Sequence, residues 1–452
     1  NALHNAILNR IVETTDEIAV VTGTTANNLD FSSSSAGANL PNAFLGNYAT
    51  NGAKAEISGT ITPGSDGYKL GAKGSSGLLG IRSVLSGDND LTVGQTGSSG
   101  IRVNIVAANT HTGETVINAG SKLVLGNNLA LQNSALNVGS AGGHFALAAG
   151  TNVGRITGET AATSPTFGGL IGSRNLLSVF TNAASNNETN LTADLITGFT
   201  LNIGTGSTFT YTGAIGGFGS GATGGLNGNS TLTKTGEGTQ ILGGASTYTG
   251  GTSIDAGTLL VNNTEGSGTG TGAVVVRADG TLGGTGFIGG LVTVDGTLAP
   301  GSGTAGTLNL NGGLTMNAGS TWSIVLADGI SNTSLAITGP TSLSNLTNFR
   351  IDGNDFAFNP SSSYNYVIAT GAGDQSLLNI NTIDHSSQFS FSNFGNSADF
   401  HFFITGNGSG QIFLNANPVP EPSTVLAMGA GFLGFCGLIR RRRKTVEAVL
   451  AE

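Results

Sequence analysis

The first residues in this chain that could do chemistry are two carboxylate pairs. Asp88 and Asp90, and again Asp352 and Asp355, stand close enough in sequence to share a site. Paired carboxylates supported by basic groups are what polysaccharide hydrolysis uses, one as acid and the other as nucleophile or base. Both pairs sit among Gly and Asn, in G-D-N-D and D-G-N-D. Short acidic side chains in that setting bond the local backbone and build turns, so neither pair is expected to be catalytic. The repeated G-G-x-G-x-D pattern of calcium-loading solenoids does not accompany them. Five histidines, His4, His111, His144, His385 and His401, are scattered without metal-ligand spacing. The contiguous Asp384-His385-Ser386 cannot form a triad by adjacency, and no G-x-S-x-G elbow goes with it. The glycine string from Gly283 to Gly290 lacks the Lys-Ser/Thr of a phosphate loop. The sequence therefore predicts no catalytic residue, no metal ligand and no cofactor.

What would have to position any such residues is a chain of 452 residues with 75 Gly, 9 Pro and 1 Cys. Glycine at this level without a Gly-X-Y period excludes collagen. Disorder is excluded by 38% hydrophobic and only 10% charged residues, with a mean hydropathy of +0.12. A single cysteine, Cys436, permits no internal disulfide, so stability must come from packing and backbone hydrogen bonds. Charged helix formers are scarce, while Gly, Asn, Ser and Thr separate short Val/Ile/Leu runs. That is the composition of an all-β, turn-rich fold.

Charge is unevenly placed. Arg440, Arg441, Arg442, Arg443 and Lys444 are contiguous, which leaves 12 basic against 24 acidic residues in positions 1 to 439. An acidic body without a basic stripe excludes nucleic acid as a partner. Directly before the cluster, Val425 to Ile439 is apolar and uncharged. At 1.5 Å per residue it reaches roughly 22 Å, a short transmembrane helix that flanking Thr424 and a snorkelling Arg440 would lengthen. The arginines stay cytoplasmic by the positive-inside rule, which puts the body across the membrane. Export predicts a leader. Asn1 to Thr25 holds no basic segment followed by a long apolar stretch and does not open on Met, so the start of the precursor is expected upstream.

Just ahead of the apolar segment stands Val419-Pro420-Glu421-Pro422-Ser423-Thr424. This order of V-P-E-P, apolar helix and arginine cluster resembles the PEP-CTERM sorting signal of Gram-negative exported proteins. The resemblance implies an exosortase, a membrane cysteine transpeptidase that cuts near Pro420-Glu421-Pro422 and passes its substrate to the surface. Prolines on both sides of Glu421 forbid helix and suit an extended-peptide groove. Such C-termini also carry the name of an ice-binding-protein anchoring region, which says nothing of ice here.

Internal repeats supply a second resemblance. Ala108 to Gly120, A-N-T-H-T-G-E-T-V-I-N-A-G, matches Ala245 to Gly257, A-S-T-Y-T-G-G-T-S-I-D-A-G, at eight of thirteen positions. With L-T-K-T-G-E-G-T upstream, from Leu232 to Thr239, the unit resembles the autotransporter-associated β-strand repeat of passenger β-helices. Turn residues recur at Asn118/Gly120, Asp255/Gly257 and Asn317/Gly319. Taking corners at Asp255, Asp279, Asp295 and Asn317 gives spacings of 24, 16 and 22 residues, one solenoid coil each. Strands are predicted between corners at Ala273 to Arg277, Leu291 to Val294, Thr307 to Leu310 and Thr321 to Leu326. The fold class read from these patterns is all-β, a parallel β-helix; the resemblance implies a right-handed one. From about residue 330, longer alternating runs richer in Phe read as antiparallel strands, at Tyr364 to Ala369, Gln388 to Phe391, Phe400 to Thr405 and Gln411 to Leu414.

The expected organisation is an irregular or short helical lead-in over 1–25, a solenoid over 26–329 and an antiparallel cap over 330–416. A linker over 417–424, a transmembrane helix over 425–439 and a basic tail over 440–452 follow. The function expected is that of a non-enzymatic surface protein, structural or adhesive, associated with envelope or exopolysaccharide. The alternatives are an exported carbohydrate-active β-helix enzyme and an ice- or glycan-binding solenoid, although regular T-x-T arrays at coil spacing are not evident.

Overall fold

Short runs of alternating apolar and hydroxyl residues bounded by Gly make strands too brief to stand alone, so each must pair with the next turn of the chain. The computed structural model describes residues 18–21, 23–32, 43–47, 54–71, 77–97, 99–139, 142–147, 156–180, 196–216, 229–301, 303–328, 330–343, 345–346, 348–356, 358–373, 386–394 and 396–419. Cys436, His4, Asp384, His385, Pro420 to Pro422, the apolar segment 425–439 and the basic tail lie outside them. Among the described residues no helix is long and apolar enough to cross a membrane.

The chain winds as a parallel β-solenoid. One face is a parallel ladder from Ile18–Val20 through Leu91–Val93, Thr115–Ile117, Thr239–Leu242 and Thr321–Val325 to Phe389–Ser392. A second ladder starts where Leu131 pairs Phe167 and continues through Gly198–Asn202, Thr231–Thr235, Val292–Val294 and Leu314–Met316 to Thr341–Ser342. Thr252–Val261 and Val274–Gly284 serve both ladders, each turning at a register shift between Ile254 and Ala256. Third-face strands stack from Lys54–Ile57 to His144–Leu147 in the N-terminal part, and from Phe287–Ile288 to Tyr364–Thr370 in the C-terminal part. All these pairings are parallel, so edges meet edges from coil to coil, and among the described residues helix is limited to short turns such as Leu176–Phe180.

Inward residues form apolar columns along the axis. Leu201, Lys234, Ile254, Val276, Val294 and Met316 follow one another in register, all fully buried and, Lys234 apart, all apolar. Leu259, Leu282, Leu298, Trp322 and Phe349 make another. Burying a large aliphatic side chain stabilises by about 1.5–3 kcal/mol, so the columns hold the coils together against the entropy of many glycines.

The ends differ from the sequence reading. Ile18–Val20, expected in a lead-in, is the first strand of the long ladder, paired with Phe44–Gly46. Parallel coiling continues past residue 329, through Thr333–Ile337, Asn348–Asp352 and Phe389–Ser392. Among the described strands, antiparallel pairing, isolated bridges aside, is confined to Tyr364–Thr370, Phe400–Gly406 and Ile412–Pro418, with the last strand in the middle. The Phe-rich alternation seen from 330 is shared by coil and hairpin, which is why periodicity alone set the change too early. The strand also runs to Pro418, so residues 417 and 418 belong to the sheet and not to a linker. An aromatic cluster around Phe358, with Tyr364, Phe394 and Phe400 at ring-centroid distances of 4.6, 4.7 and 5.4 Å, closes this end.

Candidate functional site

The repeats bury several polar side chains, His111, Thr115, Lys234, Gln240 and Thr252 among them. In both copies the register places corresponding residues together: Leu91 pairs Thr115 and Leu232 pairs Thr252. Val93 of the first copy therefore stands where Lys234 stands in the second, and Asn118 stands where Asp255 does. Lys234 is fully buried in the Leu201–Met316 column. Its Nζ donates to the carbonyls of Thr235 and Gly236 at 2.7 Å and of Ala256 at 3.2 Å. Burial pushes its pKa down to about 8, opposed by the Glu237 charge, so the amine is still mostly cationic at neutral pH. In the first copy Asn118 Nδ2 donates at 2.6 Å to the carbonyl of Gly94, the counterpart of Thr235. Two residue types thus satisfy the same corner carbonyl.

Of the predicted turn residues, Gly120 and Gly319 lie in turns directly after Asn118 and Asn317, whereas Asp255 and Gly257 lie within strand Thr252–Val261, at its register shift. The left-handed backbone falls on the glycines: φ is +80° at Gly120, +67° at Gly257 and +87° at Gly319. Among the described residues only Asn354, Asp355 and Asn393 adopt it without being glycine, so Asn118, Asp255 and Asn317 act through their side chains and not through positive φ. A Cβ on Gly257 would also lie 2.3 Å from the Gly236 carbonyl oxygen, closing the site to any other residue. One corner column reads Asp255, Arg277, Asp295, Asn317, because Ile254, Val276, Val294 and Met316 are in register. The spacings are then 22, 18 and 22 residues. Asp279 is displaced from it, opposite Ala256. Within the column Arg277 Nε lies 4.0 Å from Asp255 Oδ1, and Asn317 Nδ2 donates to Asp295 Oδ1 at 2.7 Å.

A polar cluster sits under each copy. Tyr248 OH bonds Thr252 Oγ1 at 2.6 Å, and burial pushes the phenol pKa up. His111 occupies the same place, with Nε2 3.5 Å from Thr115 Oγ1, while Thr115 also bonds Ser134 at 2.7 Å. His111 Nδ1 is buried without a partner, and burial pushes the imidazole down to about 4 despite the nearby Asp90 charge. Gln240 is a further buried polar residue: its Oε1 accepts from Leu170 N at 3.0 Å and its Nε2 donates to Leu170 O at 3.1 Å, standing in for a strand partner. Lys234 and Gln240 were missed as special positions in the sequence, although alternation in T-L-T-K-T and T-Q-I-L placed both inward.

Three of the four paired carboxylates, Asp88, Asp90 and Asp352, accept hydrogen bonds from neighbouring coils. Asp88 Oδ1 accepts from Thr112 Oγ1 at 3.0 Å and Asp90 Oδ1 from Glu114 N at 2.7 Å, each from the next coil. Asp352 accepts from Asn354 N at 2.9 Å, from Ser392 Oγ at 3.0 Å and from Asn393 Nδ2 at 3.0 Å. Burial raises its pKa, but these donors and Arg350 outweigh it and hold the carboxyl below its usual value. No group of His, Cys, Asp and Glu that could hold a metal occurs among the described residues.

The outer faces carry two columns of hydroxyls that sequence spacing hid. On one, Thr208, Thr239, Thr258, Thr281, Thr297 and Thr321 are in direct register. On the other, Thr200, Thr233, Ser253, Val275, Thr293, Thr315 and Ser342 follow one another. All are at least partly exposed and none is charged.

At the C-terminal end, Phe400 pairs Pro418 and Val419 N donates to the carbonyl of Asp399 at 2.8 Å. Of the predicted motif Val419-Pro420-Glu421-Pro422, only Val419 lies among the described residues.

Comparison with known families gives two matches. The passenger-associated-transport-repeat family matches residues 105–121 and 232–261. The PEP-CTERM protein-sorting motif matches residues 418–443. No curated protein matches the chain. The matched families are a sorting motif and a passenger repeat, neither of them enzymatic, and together they indicate an exported, envelope-sorted chain processed by an exosortase-type membrane enzyme.

Proposed function

We propose that this chain is a non-enzymatic surface protein, structural or adhesive, whose neutral solenoid faces hold envelope or extracellular polysaccharide. Before sorting, the precursor is tethered in the inner membrane with its body in the periplasm and Arg440 to Lys444 in the cytoplasm. The exosortase then delivers the body to the outer surface or matrix.

The observation that carries this reading is the pair of hydroxyl columns in register. Neighbouring strands lie about 4.8 Å apart, so an uncharged glycan running along the axis meets a hydroxyl at every coil of the Thr208 to Thr321 column and at every coil of the other except that of Val275. Supporting it, Asp88, Asp90 and Asp352, three of the four paired carboxylates, are taken up by hydrogen bonds from neighbouring coils.

The test is retention on the producer's exopolysaccharide. Protein recovered from the cell surface should be retained, and a triple variant Thr258→Glu, Thr281→Glu, Thr297→Glu, which keeps its circular dichroism, should lose about tenfold in affinity. Equal retention of both, or none of either, removes the adhesive reading.

A further inference from the structure

We propose that the outer face of the N-terminal third ladder binds an acidic polysaccharide, holding its carboxylates along a column of cations. This surface is separate from the hydroxyl columns, so its failure leaves that reading standing.

The column is made by register. In strands Leu78–Ile81, Ile101–Ile105, Ser121–Leu125 and His144–Leu147, the residues Leu79, Val103, Leu123 and Phe145 stack inward and are buried. Alternation turns the residues before them outward, so Arg102, Lys122 and His144 stand on successive rungs, with Lys54 two rungs from Arg102 across Leu78. Arg174 adds a cation at the His144 end, where its Nη2 donates to the carbonyls of Gly143 at 2.8 Å and Ser178 at 3.1 Å. Arg102, Lys122 and His144 are 20 and 22 residues apart in the chain. The body therefore carries a short basic stripe that spacing alone did not show.

Five of the 12 basic residues in positions 1 to 439, Lys54, Arg82, Arg102, Lys122 and Arg174, lie on this face or at its margin. Glu56 and Glu159 oppose them. Glu56 lies 3.0 Å from Lys54 Nζ and 3.8 Å from Arg82 Nη1, and Glu159 accepts from Asn104 Nδ2 at 2.8 Å. Whatever pairs form locally, the sum stays positive. His144 feels it: burial, with the Arg174 and Lys122 charges, holds the imidazole below its ordinary pKa.

Like charges on neighbouring strands destabilise a sheet. The corner column avoids them, with Arg277 between Asp255 and Asp295. A column that keeps one sign carries a cost to folding that an anionic ligand offsets. The strap at 156–160 covers the neighbouring column of Glu56, Gly80 and Asn104: a Cβ on Gly80 would lie 2.5 Å from Ile156 Cδ1, and Thr157 N donates to Glu56 Oε1 at 3.3 Å. Arg102, Lys122, His144 and Arg174 remain half-exposed beside it.

Rungs recur about every 4.8 Å, so the column from Lys54 to His144 is roughly 19 Å long. A single small anion would use one rung, whereas an extended glycan with a carboxylate on each sugar can use them in series. Among the described residues the face exposes no Phe, Tyr or Trp ring on which a nucleic-acid base could stack and no large apolar side chain to enter a lipid surface.

The experiment titrates the full chain with oligogalacturonate and with its methyl ester, which has the same length and no charge. The acid should bind more tightly than the ester and weaken as salt shortens the Debye length. Arg102→Gln with Lys122→Gln should weaken the acid about tenfold and leave the ester unchanged. Arg102→Lys with Lys122→Arg keeps the charge and should bind the acid within about twofold of the parent, which separates lost charge from a disturbed fold. Arg277→Gln should bind as the parent does. Equal affinity for acid and ester, no loss in the double Gln variant, or an equal loss in Arg277→Gln overturns the proposal. Phosphatidylglycerol vesicles that bind through Arg102 and Lys122 while oligogalacturonate does not would assign the face to lipid and overturn it as well.

Discussion

The two copies of the repeat, at Ala108 to Gly120 and Ala245 to Gly257, fold onto the same register but meet the needs of their corner differently. In the first, the Asn118 amide supplies the donor to the Gly94 carbonyl and Val93 fills the core. In the second, Asp255 cannot donate, and Lys234 reaches from the core position to the Thr235, Gly236 and Ala256 carbonyls. Beneath the corner, His111 makes a long contact where Tyr248 makes a short one. The requirement is common to both: a coil that turns on glycine leaves carbonyls pointing inward, and each must find a donor. The residue that answers is free to vary, provided it reaches. What both keep is the close approach. A Cβ at Gly113 or Gly250 would come within 2.4 or 2.0 Å of the preceding coil's backbone, at Asn89 and Asn229.

The comparison breaks most sharply at Lys234. Lys234→Met keeps the length and removes the donors, leaving buried carbonyls unsatisfied, and should cost about 3 kcal/mol in urea unfolding. Hydrogen exchange should rise first at the amides of 235–238 and 256–258, since coils of a solenoid open locally. Val93→Lys in the first copy should also destabilise, because Asn118 already serves Gly94. Adding Asn118→Asp to Val93→Lys transplants the second arrangement and should recover at least about 1 kcal/mol of the loss. Additive effects would mean that the two corners are not alternatives.

Acid should separate the copies next. His111 has a folded pKa of about 4 against about 6.5 unfolded, so the unfolded chain binds the extra proton first. Its contribution is intact above pH 6.5 and is lost as pH falls from 6.5 to 4. Going from pH 7.5 to pH 5 should therefore cost about 2 kcal/mol through this group. Tyr248 is neutral throughout that window. His111→Tyr, which installs the second copy's residue, should flatten the acid dependence of exchange in the coils around Thr115 and Ser134. A variant as acid-sensitive as the parent would place the titration elsewhere.

How much of this was legible in the sequence depends on the length of pattern that each feature needs. The repeats, the fold class and the local bond of Asp352 to Asn354 N need only local spacing, whereas Asp88 and Asp90, expected to bond their own turns, accept from Thr112 and Glu114 of the next coil. The hydroxyl columns were not legible. Thr208, Thr239, Thr258, Thr281, Thr297 and Thr321 are separated by 31, 19, 23, 16 and 24 residues, so unequal coils erase the period that pairing restores. Register, set by packing and corner geometry, is a non-local property. Lys234 lay between the two cases. Alternation in Leu232-Thr233-Lys234 turned it inward, but only the return of the next coil, bringing the Ala256 carbonyl within 3.2 Å, shows why a cation belongs there. The hairpin boundary failed for the same reason, since Phe389–Ser392 alternates like its antiparallel neighbours and only its pairing with Asn348–Asp352 makes it a coil.

The smallest effect sharpens the comparison most. Tyr248→Phe removes the hydroxyl that bonds Thr252 at 2.6 Å and should cost about 1 kcal/mol, because a buried Thr252 hydroxyl is left without that partner. Thr252→Val alone should cost about as much, by orphaning the phenol. With both replaced, no unsatisfied group remains and the pair is apolar, so the double variant should be less destabilised than either loss summed, by about 1 kcal/mol of coupling. The matching cycle in the first copy, His111→Phe with Thr115→Val, should show weaker coupling. There the His111 contact is 3.5 Å, and Thr115 keeps its 2.7 Å bond to Ser134 when His111 is gone. Strong coupling in both copies would mean that His111 moves closer to Thr115 than the structure places it, and that the two clusters use one design.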